Sequence, residues 1–334
     1  MQALSSLRMT TWPVWGPGLL TAATIAMAAT FVAEHQGGPQ LLYALFFGMA
    51  FNFAAEGAKV KAGIDFASRS VLRFGVALLG ARITLEQITA LGIAPVILVV
   101  SGVVGTILFG AMLSRLLKRP VVEGLLTGGA VAICGASAAL AIAAVLPRTE
   151  ENQRFTLFTV VGVTTLSTVA MIVYPTVVKI CGLDAHGAAV FLGGTIHDVA
   201  QVVAAGYLIS PQVGDSATFV KLLRVATLMP VVACFGVMFR AQGGDAGARP
   251  PVLPGFLVGF MALMALNSLG WLPASVAHGL GDLSRWCLVV AIAALGVKTS
   301  FQQLARLGWR PVFMLVAETL FLAALILAGV TVLR

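Results

Sequence analysis

The chain is short of charge. Only 10% of its 334 residues are Asp, Glu, Lys or Arg, while 59% are hydrophobic and the mean hydropathy is +0.99. Soluble domains are about half apolar and about a quarter charged, so this composition excludes a soluble fold. No polar stretch exceeds about 20 residues, whereas a separate soluble domain needs at least about 50. The scarcity of charge predicts a single polytopic membrane domain over residues 1–334.

Cysteine and histidine are equally scarce, with four residues of each. The cysteines form no Cys-x-x-Cys pair, so we expect buried free thiols and neither a zinc site nor a disulfide framework. No cluster of metal ligands and no nucleophile–base pair stands out, and we expect no cofactor, no metal and no enzymatic activity. The net charge of +8 is spread over short loops without interleaved aromatic residues, which argues against nucleic acid as a partner.

Apolar runs fill most of the chain, and most of them reach the roughly 20 residues that a helix needs to cross a bilayer. They lie at about 14–33, 39–55, 70–81, 90–113, 121–146, 153–180, 185–209, 217–239, 252–270, 284–297 and 309–333. These runs predict an all-α membrane protein of about eleven transmembrane helices, the first an uncleaved helix rather than a signal peptide. With alternating crossings, the N-terminal side receives twice as many Lys and Arg residues as the other, which predicts a cytoplasmic N-terminus.

A weak repeat recurs at an offset of about 215 residues. Leu78–Pro95 reads LLGARITLEQITALGIAP and Ala294–Pro311 reads ALGVKTSFQQLARLGWRP. The matched pairs are Gly80/Gly296, Arg82/Lys298, Thr84/Ser300, Gln87/Gln303, Leu91/Leu307, Gly92/Gly308 and Pro95/Pro311, with Pro39/Pro254 and Asn52/Asn267 upstream. An odd number of predicted spans separates the copies, so the repeat halves at about 39–113 and 254–327 have opposite orientations. Inverted repeats are a signature of secondary transporters with a midplane site; chance similarity between Leu-, Gly- and Ala-rich helices is the alternative.

The most polar stretch inside an apolar run is Gly193–Gln201, which reads GGTIHDVAQ. An Asp in the middle of a spanning helix is unfavourable by roughly 2.5–3.5 kcal/mol, so Asp198 is a functional candidate. On a continuous helix, one face carries Gly194, His197 and Gln201, and the next carries Thr195 and Asp198. The second face is a candidate for holding a cation or a proton. His197 either titrates near neutral pH or makes an interhelical hydrogen bond.

Two glycine pairs predict interrupted helices. Gly128-Gly129 precedes Cys134, Gly135 and Ser137, and Gly193-Gly194 begins the polar stretch. Unwound backbone is tolerated at membrane depth only where it lines a cavity or is buried in protein. A half-helix that begins there directs free N–H groups and a positive dipole end into the cavity, which suits an anion without Lys or Arg at the midplane. Close helix packing at small residues is the alternative, above all for Gly128 and Gly129.

Five further polar residues lie within or beside apolar runs. Glu318 is near the centre of the last run and is a candidate for a proton relay. Asn52 and Asn267 are repeat-equivalent, and they either form matched gates or join helices. Lys221 and Arg224 open the run at 217–239, where they either attract anions at an entrance or extend to the membrane interface.

Several motifs carry a family resemblance. They are AICGASAA (132–139), GGTIHDVAQVVAA (193–205), KLLRVATLMPVV (221–232), LNSLG (266–270) and AALGVKTSF (293–301). Over nearly its whole length the chain resembles the YeiH-type bacterial inner-membrane proteins, a family commonly labelled as sulfate exporters and with members linked to sulfonate metabolism. The resemblance implies an inner-membrane location and a helical transporter fold with inverted repeats and crossing broken helices. Such folds are similar to sodium–proton antiporters and bile-acid symporters, and they often dimerise.

Together, these observations predict a secondary transporter of a small anion, such as sulfate or a sulfonate, with alternating access around a midplane site. The predicted site residues are Gly128, Gly129, Cys134, Gly135, Ser137, Gly193, Gly194, Thr195, His197, Asp198, Gln201, Asn52 and Asn267, with Glu318 and Arg224 as second-rank coupling groups. The expected partners are the anion, a coupling proton or sodium ion, the lipid bilayer and a second copy of the chain. The alternative is a cation/proton antiporter in which Asp198 carries the ion and the proton in turn.

Overall fold

The structure is a computed structural model that describes residues 14–36, 40–53, 57–84, 86, 89, 92–147, 149–239, 255–298 and 309–333. The regular structure of these residues is helical, as predicted. The α-helices are α1 (Gly16–Gln36), α2 (Gln40–Ala50), α3 (Ala58–Phe66), α4 (Leu72–Leu79), α5 (Ile93–Leu116), α6 (Val121–Ala132), α7 (Ala136–Ala143), α8 (Glu150–Ile180), α9 (Ala185–Thr195), α10 (Val199–Ile209), α11 (Pro211–Ala226), α12 (Leu228–Phe239), α13 (Gly255–Ser268), α14 (Ala274–Lys298) and α15 (Trp309–Val332). A π-helical turn (Ala67–Val71) joins α3 to α4, and a 3₁₀ turn (Gly80–Arg82) follows α4.

Six helical stretches of the described chain are long and apolar enough to cross a membrane. They are α1, α5, α8, α11 together with α12, α14 and α15. Shorter apolar helices, α2, α6, α10 and α13, accompany them. These lengths and compositions support a multi-pass membrane protein, whereas a total of eleven crossings stays a prediction.

One span begins earlier than its hydrophobicity indicates. The run predicted at 217–239 belongs to a stretch that starts at Pro211. Ser210 caps this start, because its Oγ accepts a hydrogen bond from the N–H of Val213 at 3.1 Å, and proline suits a first helical position. Asp215 therefore lies in α11 and not in a loop, where it accepts a hydrogen bond from Tyr207 and lies 3.9 Å from the guanidinium of Arg82.

Both predicted interruptions exist, but they lie after the glycine pairs. Ile133-Cys134-Gly135 (the first break) separates α6 from α7, and Ile196-His197-Asp198 (the second break) separates α9 from α10. The glycine pairs lie inside α6 and α9, so the prediction that a half-helix begins at each pair is wrong. The continuous helix assumed for residues 194–201 is wrong for the same reason, and His197 shares no helix face with Gly194 or Gln201.

The glycine pairs permit close packing instead. A Cβ at Gly128 would lie 2.9 Å from the carbonyl oxygen of Thr106 in α5, and a Cβ at Gly193 would overlap the carbonyl oxygen of Ala217 in α11. A Cβ at either remaining position would press on an isoleucine side chain, Ile142 for Gly129 and Ile326 for Gly194. Small-residue packing, the alternative interpretation, accounts for both pairs.

The chain divides into two compact units, and matched contacts recur in each. The first unit takes residues 1–75 and 285–299, and the second takes 76–284 and 300–334. In the first unit, a Cβ at Gly296 would overlap the carbonyl oxygen of Leu45 in α2. In the second, a Cβ at the matching Gly80 would overlap the carbonyl oxygen of Phe260 in α13. Phe260 is the counterpart of Leu45 at the offset that relates Asn52 to Asn267.

Each of the matched asparagines binds the helix end that takes part in the glycine contact of its own unit. Asn52 donates to the carbonyl oxygen of Val297 at 2.7 Å, and Asn267 donates to that of Ile83 at 3.5 Å. Each unit therefore combines a helix from one repeat copy with a helix end from the other. The inverted orientation of the copies stays a prediction. The repeat positions Pro39, Gln87, Leu91, Pro254, Ser300, Gln303, Leu307 and Gly308 lie outside the described residues.

We expect Gly296→Ala to destabilise the protein, because the backbone carbonyl of Leu45 cannot move aside for a methyl group. Overpacking of this kind costs about 1–3 kcal/mol. Gly279 lies in the same helix, and nothing lies within 4 Å of the position that an added Cβ would take there. Gly279→Ala should therefore be neutral or stabilising by up to about 1 kcal/mol. Thermal unfolding of the purified variants in detergent checks this, and equal melting temperatures would contradict the close contact.

Candidate functional site

The two breaks lie side by side in the second unit. A Cβ at Gly135 would lie 3.5 Å from the Cβ of His197 and 3.7 Å from its carbonyl oxygen. Gly135 has φ +63°, in the left-handed region that glycine adopts without steric cost. The C-terminal ends of α6 and α9 and the N-terminal ends of α7 and α10 therefore meet around residues 133–135 and 196–198.

Two buried cations bind the C-terminal ends at this meeting point. Arg224 donates to the carbonyl oxygens of Val131 and Ala132 at 2.7 Å each, Ile196 at 3.0 Å and Gly193 at 3.2 Å. Lys221 donates to the carbonyl oxygens of Ile133 at 2.5 Å and Ile196 at 3.0 Å. Both side chains are 0% exposed.

These hydrogen bonds stabilise both the helix ends and the buried cations. The last carbonyls of a helix lack intrahelical partners and carry about half a negative charge. A buried ammonium or guanidinium group loses several kcal/mol of hydration and needs such partners. Lys221 and Arg224 therefore stabilise the ends of α6 and α9, and those ends stabilise the two cations.

The prediction that the midplane lacks Lys and Arg is wrong. Arg224 lies next to the midpoint of the 29-residue span 211–239. Because α11 starts six residues before the predicted run, its cations lie about 9 Å deeper than the sequence interpretation places them, at 1.5 Å per residue. They neither form an entrance nor extend to the interface.

The N-terminal ends of α7 and α10 have a different environment. Among the described residues, no side chain caps either start, so the positive dipole ends face the breaks. Asp198 is the residue before α10, and its backbone N–H donates to Ser167 Oγ at 3.1 Å. Its half-buried carboxylate interacts electrostatically with Lys221. Asp198 therefore lies at a helix start and not in a helix interior.

Gln201 is the strongest sign of a ligand at these helix starts. It is the third residue of α10 and is 0% exposed, and neither polar atom of its side chain has a hydrogen-bond partner in the described part of the chain. A buried polar group without a partner costs about 1–3 kcal/mol, and native proteins keep few of them. On the neighbouring half-helix, Ser137 is exposed, and Cys134 is buried in the first break.

Adjacent residues of α15 contact both broken helices. Thr319 donates its hydroxyl hydrogen to the carbonyl of Leu315 at 2.7 Å, so its oxygen accepts from Nε2–H of His197 at 3.0 Å. Nδ1 of His197 has no partner among the described residues. Glu318 Oε1 accepts from the hydroxyl of Thr127 in α6 at 2.7 Å. The interhelical hydrogen bond considered for His197 is therefore present.

Three predicted site residues have other roles. The hydroxyl of Thr195 donates to the carbonyl of Phe191 at 2.6 Å, within α9, and a helix break separates it from Asp198. The hydrogen bonds of Asn52 and Asn267 go to the helix ends of the repeat contacts. Each of these two asparagines joins helices within its own unit.

An ion pair fixes the start of α6. Arg119 donates to both carboxylate oxygens of Glu123, at 2.7 and 2.5 Å, and Glu123 is only 1% exposed in the first turn of the helix. A carboxylate is stabilised at that end by the helix dipole. The hydrogen bond to Glu123 raises the pKa of Arg119 above its ordinary value, so the guanidinium stays charged.

The role of several residues of this region is not evident from the sequence. For Lys221 and Arg224 a signal does exist, because Ser210-Pro211 is a helix start and places both cations deep in the span. Ser167, Thr127 and Thr319 carry no comparable signal, since Ser and Thr in apolar helices commonly bond to the carbonyls of their own helix.

Known proteins can be aligned with nearly the whole length of this chain. The family model described as "Conserved hypothetical protein 698" matches residues 17–315. A UPF0324 membrane protein from Chlorobaculum tepidum is 53% identical over 317 residues, covering 94% of this chain and 88% of the relative. UPF0324 membrane protein TauZ from Paracoccus pantotrophus is 53% identical over 317 residues, covering 94% of each chain. A UPF0324 membrane protein from Caulobacter vibrioides is 38% identical over 314 residues, covering 93% of this chain and 67% of the relative.

We expect Arg224→Gln to lower stability by about 3–5 kcal/mol, the usual cost of removing one partner from a buried charged network. The loss leaves the carbonyls at the ends of α6 and α9 without their donor. Arg154→Gln is the matched control, because its side chain is 77% exposed, and it should change little. Melting temperatures in detergent measure both variants. Arg224→Lys should restore only part of the loss, since an ammonium lacks the planar fork. A wild-type melting temperature for Arg224→Gln would contradict this role.

Proposed function

We propose a transport function for this chain, which belongs to the UPF0324 family of membrane proteins. Membership confirms the resemblance to the YeiH-type proteins that the motifs indicate. The proposed function is secondary transport of a small anion, bound where the two breaks meet. A location in the bacterial inner membrane, with the N-terminus in the cytoplasm, is part of the same proposal.

The net positive charge at the breaks is the main support for this proposal. In their ordinary ionised forms, which the surrounding carbonyl oxygens favour, Lys221 and Arg224 carry two positive charges within the second unit, and Asp198 carries one negative charge at the second break. The two C-terminal and two N-terminal helix ends contribute about half a charge each, of opposite sign, and cancel. One positive charge is left over. In surroundings of low dielectric an anion neutralises it, whereas an additional cation is repelled.

The helix starts suit an oxyanion. Backbone N–H groups at the starts of α7 and α10 point towards the breaks, and the unpartnered amide of Gln201 adds a donor beside them. Oxygen atoms of sulfate or a sulfonate accept such charge-assisted hydrogen bonds. The arrangement resembles the discontinuous helices of secondary transporters, whose half-helix N-termini face anionic groups of the substrate.

The membrane potential favours export of such an anion. With the cell interior negative, each charge that crosses 100 mV gains or loses about 2.3 kcal/mol. Exit of a dianion is therefore driven by the potential alone, whereas uptake requires a coupling ion. Alternating access would come from movement of the half-helices, because each break interrupts the regular helix.

The rival function is cation/proton antiport through Asp198. Its basis is the position of an acidic side chain at a break inside the membrane. The buried Lys221 and Arg224 weaken this alternative, because they repel an additional cation in surroundings of low dielectric. A cation at Asp198 would have to displace or discharge that lysine.

Replacing Gln201 by Met should separate ligand binding from stability. Since the amide lacks partners, an apolar side chain of similar length should leave the melting temperature unchanged or raise it. A ligand that binds only the folded state raises apparent stability, by about 2.7 kcal/mol at one hundred times its Kd. We therefore expect sulfate to raise the melting temperature of the wild type and to have little effect on Gln201→Met.

The matched control is Gln212→Met, at an exposed position near the start of α11, which should keep the sulfate effect. Sulfite, methanesulfonate and carboxylates complete the ligand panel. An unchanged sulfate effect in Gln201→Met, or a strong loss of stability without ligand, would remove Gln201 from the anion site.

Asp198→Asn distinguishes the two functions in liposomes that contain the purified protein. The Asp198 side chain makes no cap hydrogen bond at the start of α10, Asn has nearly the same shape, and Lys221 keeps its two carbonyl acceptors, so folding should be preserved. For anion transport we expect labelled sulfate uptake by the wild type, with tighter sulfate binding and slower turnover in the variant, since the retained positive charge then increases. Each tenfold change in Kd corresponds to about 1.4 kcal/mol. Sodium-driven proton movement that disappears in Asp198→Asn, without any sulfate uptake by the wild type, would establish the rival function instead.

A further inference from the structure

We propose that Glu318 is a proton-binding site that couples anion movement to proton movement in the same direction. This inference rests on the proposed anion transport, and it assigns the coupling ion to a residue outside the breaks. The inference starts from a buried carboxyl group in the second unit that binds no cationic side chain among the residues that the structure describes.

The surroundings of Glu318 are apolar and tightly packed. The residue is 0% exposed and lies near the centre of α15. Its Oε1 accepts one hydrogen bond, from Thr127 at 2.7 Å, and its Oε2 has no partner in the described part of the chain. A Cβ at Gly110 in α5 would lie 2.7 Å from Oε1, so the side chain occupies space that only a glycine leaves open.

Among the described residues, no cationic side chain is bonded to this carboxyl group. The helices packed against α15 are α5, α6, α8 and α9. Their ionisable residues are Arg115 of α5, Glu123 of α6, Glu150, Glu151, Arg154, Tyr174 and Lys179 of α8, and His186 of α9, while the second break adds His197 and α15 itself adds Arg310. None of these residues forms a hydrogen bond or an ion pair with the Glu318 carboxyl, whose partner in the described part of the chain is the hydroxyl of Thr127. Arg119, the partner of Glu123, is engaged at the start of α6.

A buried carboxylate without a cation is strongly unfavourable, whereas the neutral acid is tolerated. Glu318 therefore holds its proton in this conformation. A second conformation that brings water or a cation to Oε2 allows the proton to leave. A carboxyl group that alternates between these conditions takes up a proton on one side of the membrane and releases it on the other.

The position of Glu318 connects this proton to the anion site. The next residue, Thr319, binds His197 in the second break, and Glu318 itself binds Thr127 in α6. A shift of α15 therefore changes contacts with both broken helices together. Ionised Glu318 would add a negative charge near the site and repel the anion, so the anion is carried while Glu318 is neutral. Anion and proton consequently move together.

Liposomes loaded with a pH-sensitive dye test this coupling. Valinomycin and equal potassium on both sides hold the potential at zero, and an inward sulfate gradient is the only driving force. We expect sulfate uptake by the wild type to acidify the lumen, with one proton entering per sulfate. Absence of sulfate uptake would overturn the proposed transport function, whereas uptake without acidification would overturn only the coupling.

Glu318→Gln is the informative variant, because its amide keeps an oxygen that accepts from Thr127 but carries no ionisable proton. We expect a wild-type melting temperature, sulfate binding and sulfate uptake without acidification of the lumen. The control, Glu34→Gln, changes an exposed residue at the end of α1 and should keep acidification. Acidification by Glu318→Gln would show that another group carries the proton. A folded Glu318→Gln that no longer binds sulfate would assign Glu318 to the anion site and overturn its role as proton carrier.

Discussion

The hydrogen bonds from Lys221 and Arg224 to helix-end carbonyls are the interaction on which the interior of the second unit depends. Interrupting two helices at membrane depth exposes carbonyl groups that no water can reach, and each such group left unpaired costs several kcal/mol. Two long cationic side chains from one helix, α11, reach the ends of both α6 and α9. Without them the breaks could not be buried, and the chain would have to continue as ordinary helices.

This interaction also divides the breaks into two kinds of helix end. The negative ends are bound by the protein's own cations, whereas the positive ends of α7 and α10 have no side-chain cap among the described residues. The buried amide of Gln201 lies with the positive ends and not with the negative ones. A ligand that completes the structure must therefore bring negative charge and hydrogen-bond acceptors. The same division explains why Asp198 is tolerated there, since it precedes α10 at a positive helix end, which stabilises a carboxylate.

Much of this architecture can be predicted from residue patterns, and the errors have identifiable physical causes. Apolar runs locate the membrane helices, and the polar residues around Asp198 locate the second break. The glycine pairs mislead by several residues, because glycine weakens a helix and also permits close packing, and the neighbouring helices determine which effect prevails. Lys221 and Arg224 are misplaced because the acidic Asp215 resembles a loop residue until Tyr207 and Arg82 are seen beside it. The contacts of Glu318 and Thr319 join residues far apart in the chain, and a hydropathy profile contains no information about such contacts.

The exchange of helix ends between the repeat copies has a consequence for how the protein is made. The hydrogen bond from Asn52 to Val297 spans 245 residues, and the close packing of Gly296 on Leu45 spans a similar distance. Helix α2 enters the membrane early in synthesis, yet the residue that Asn52 binds is synthesised 245 residues later. Until then the first unit is incomplete, and the side chain of Asn52 faces lipid or other proteins. Premature termination anywhere before α14 thus leaves the earliest helices unfinished as well as the last ones.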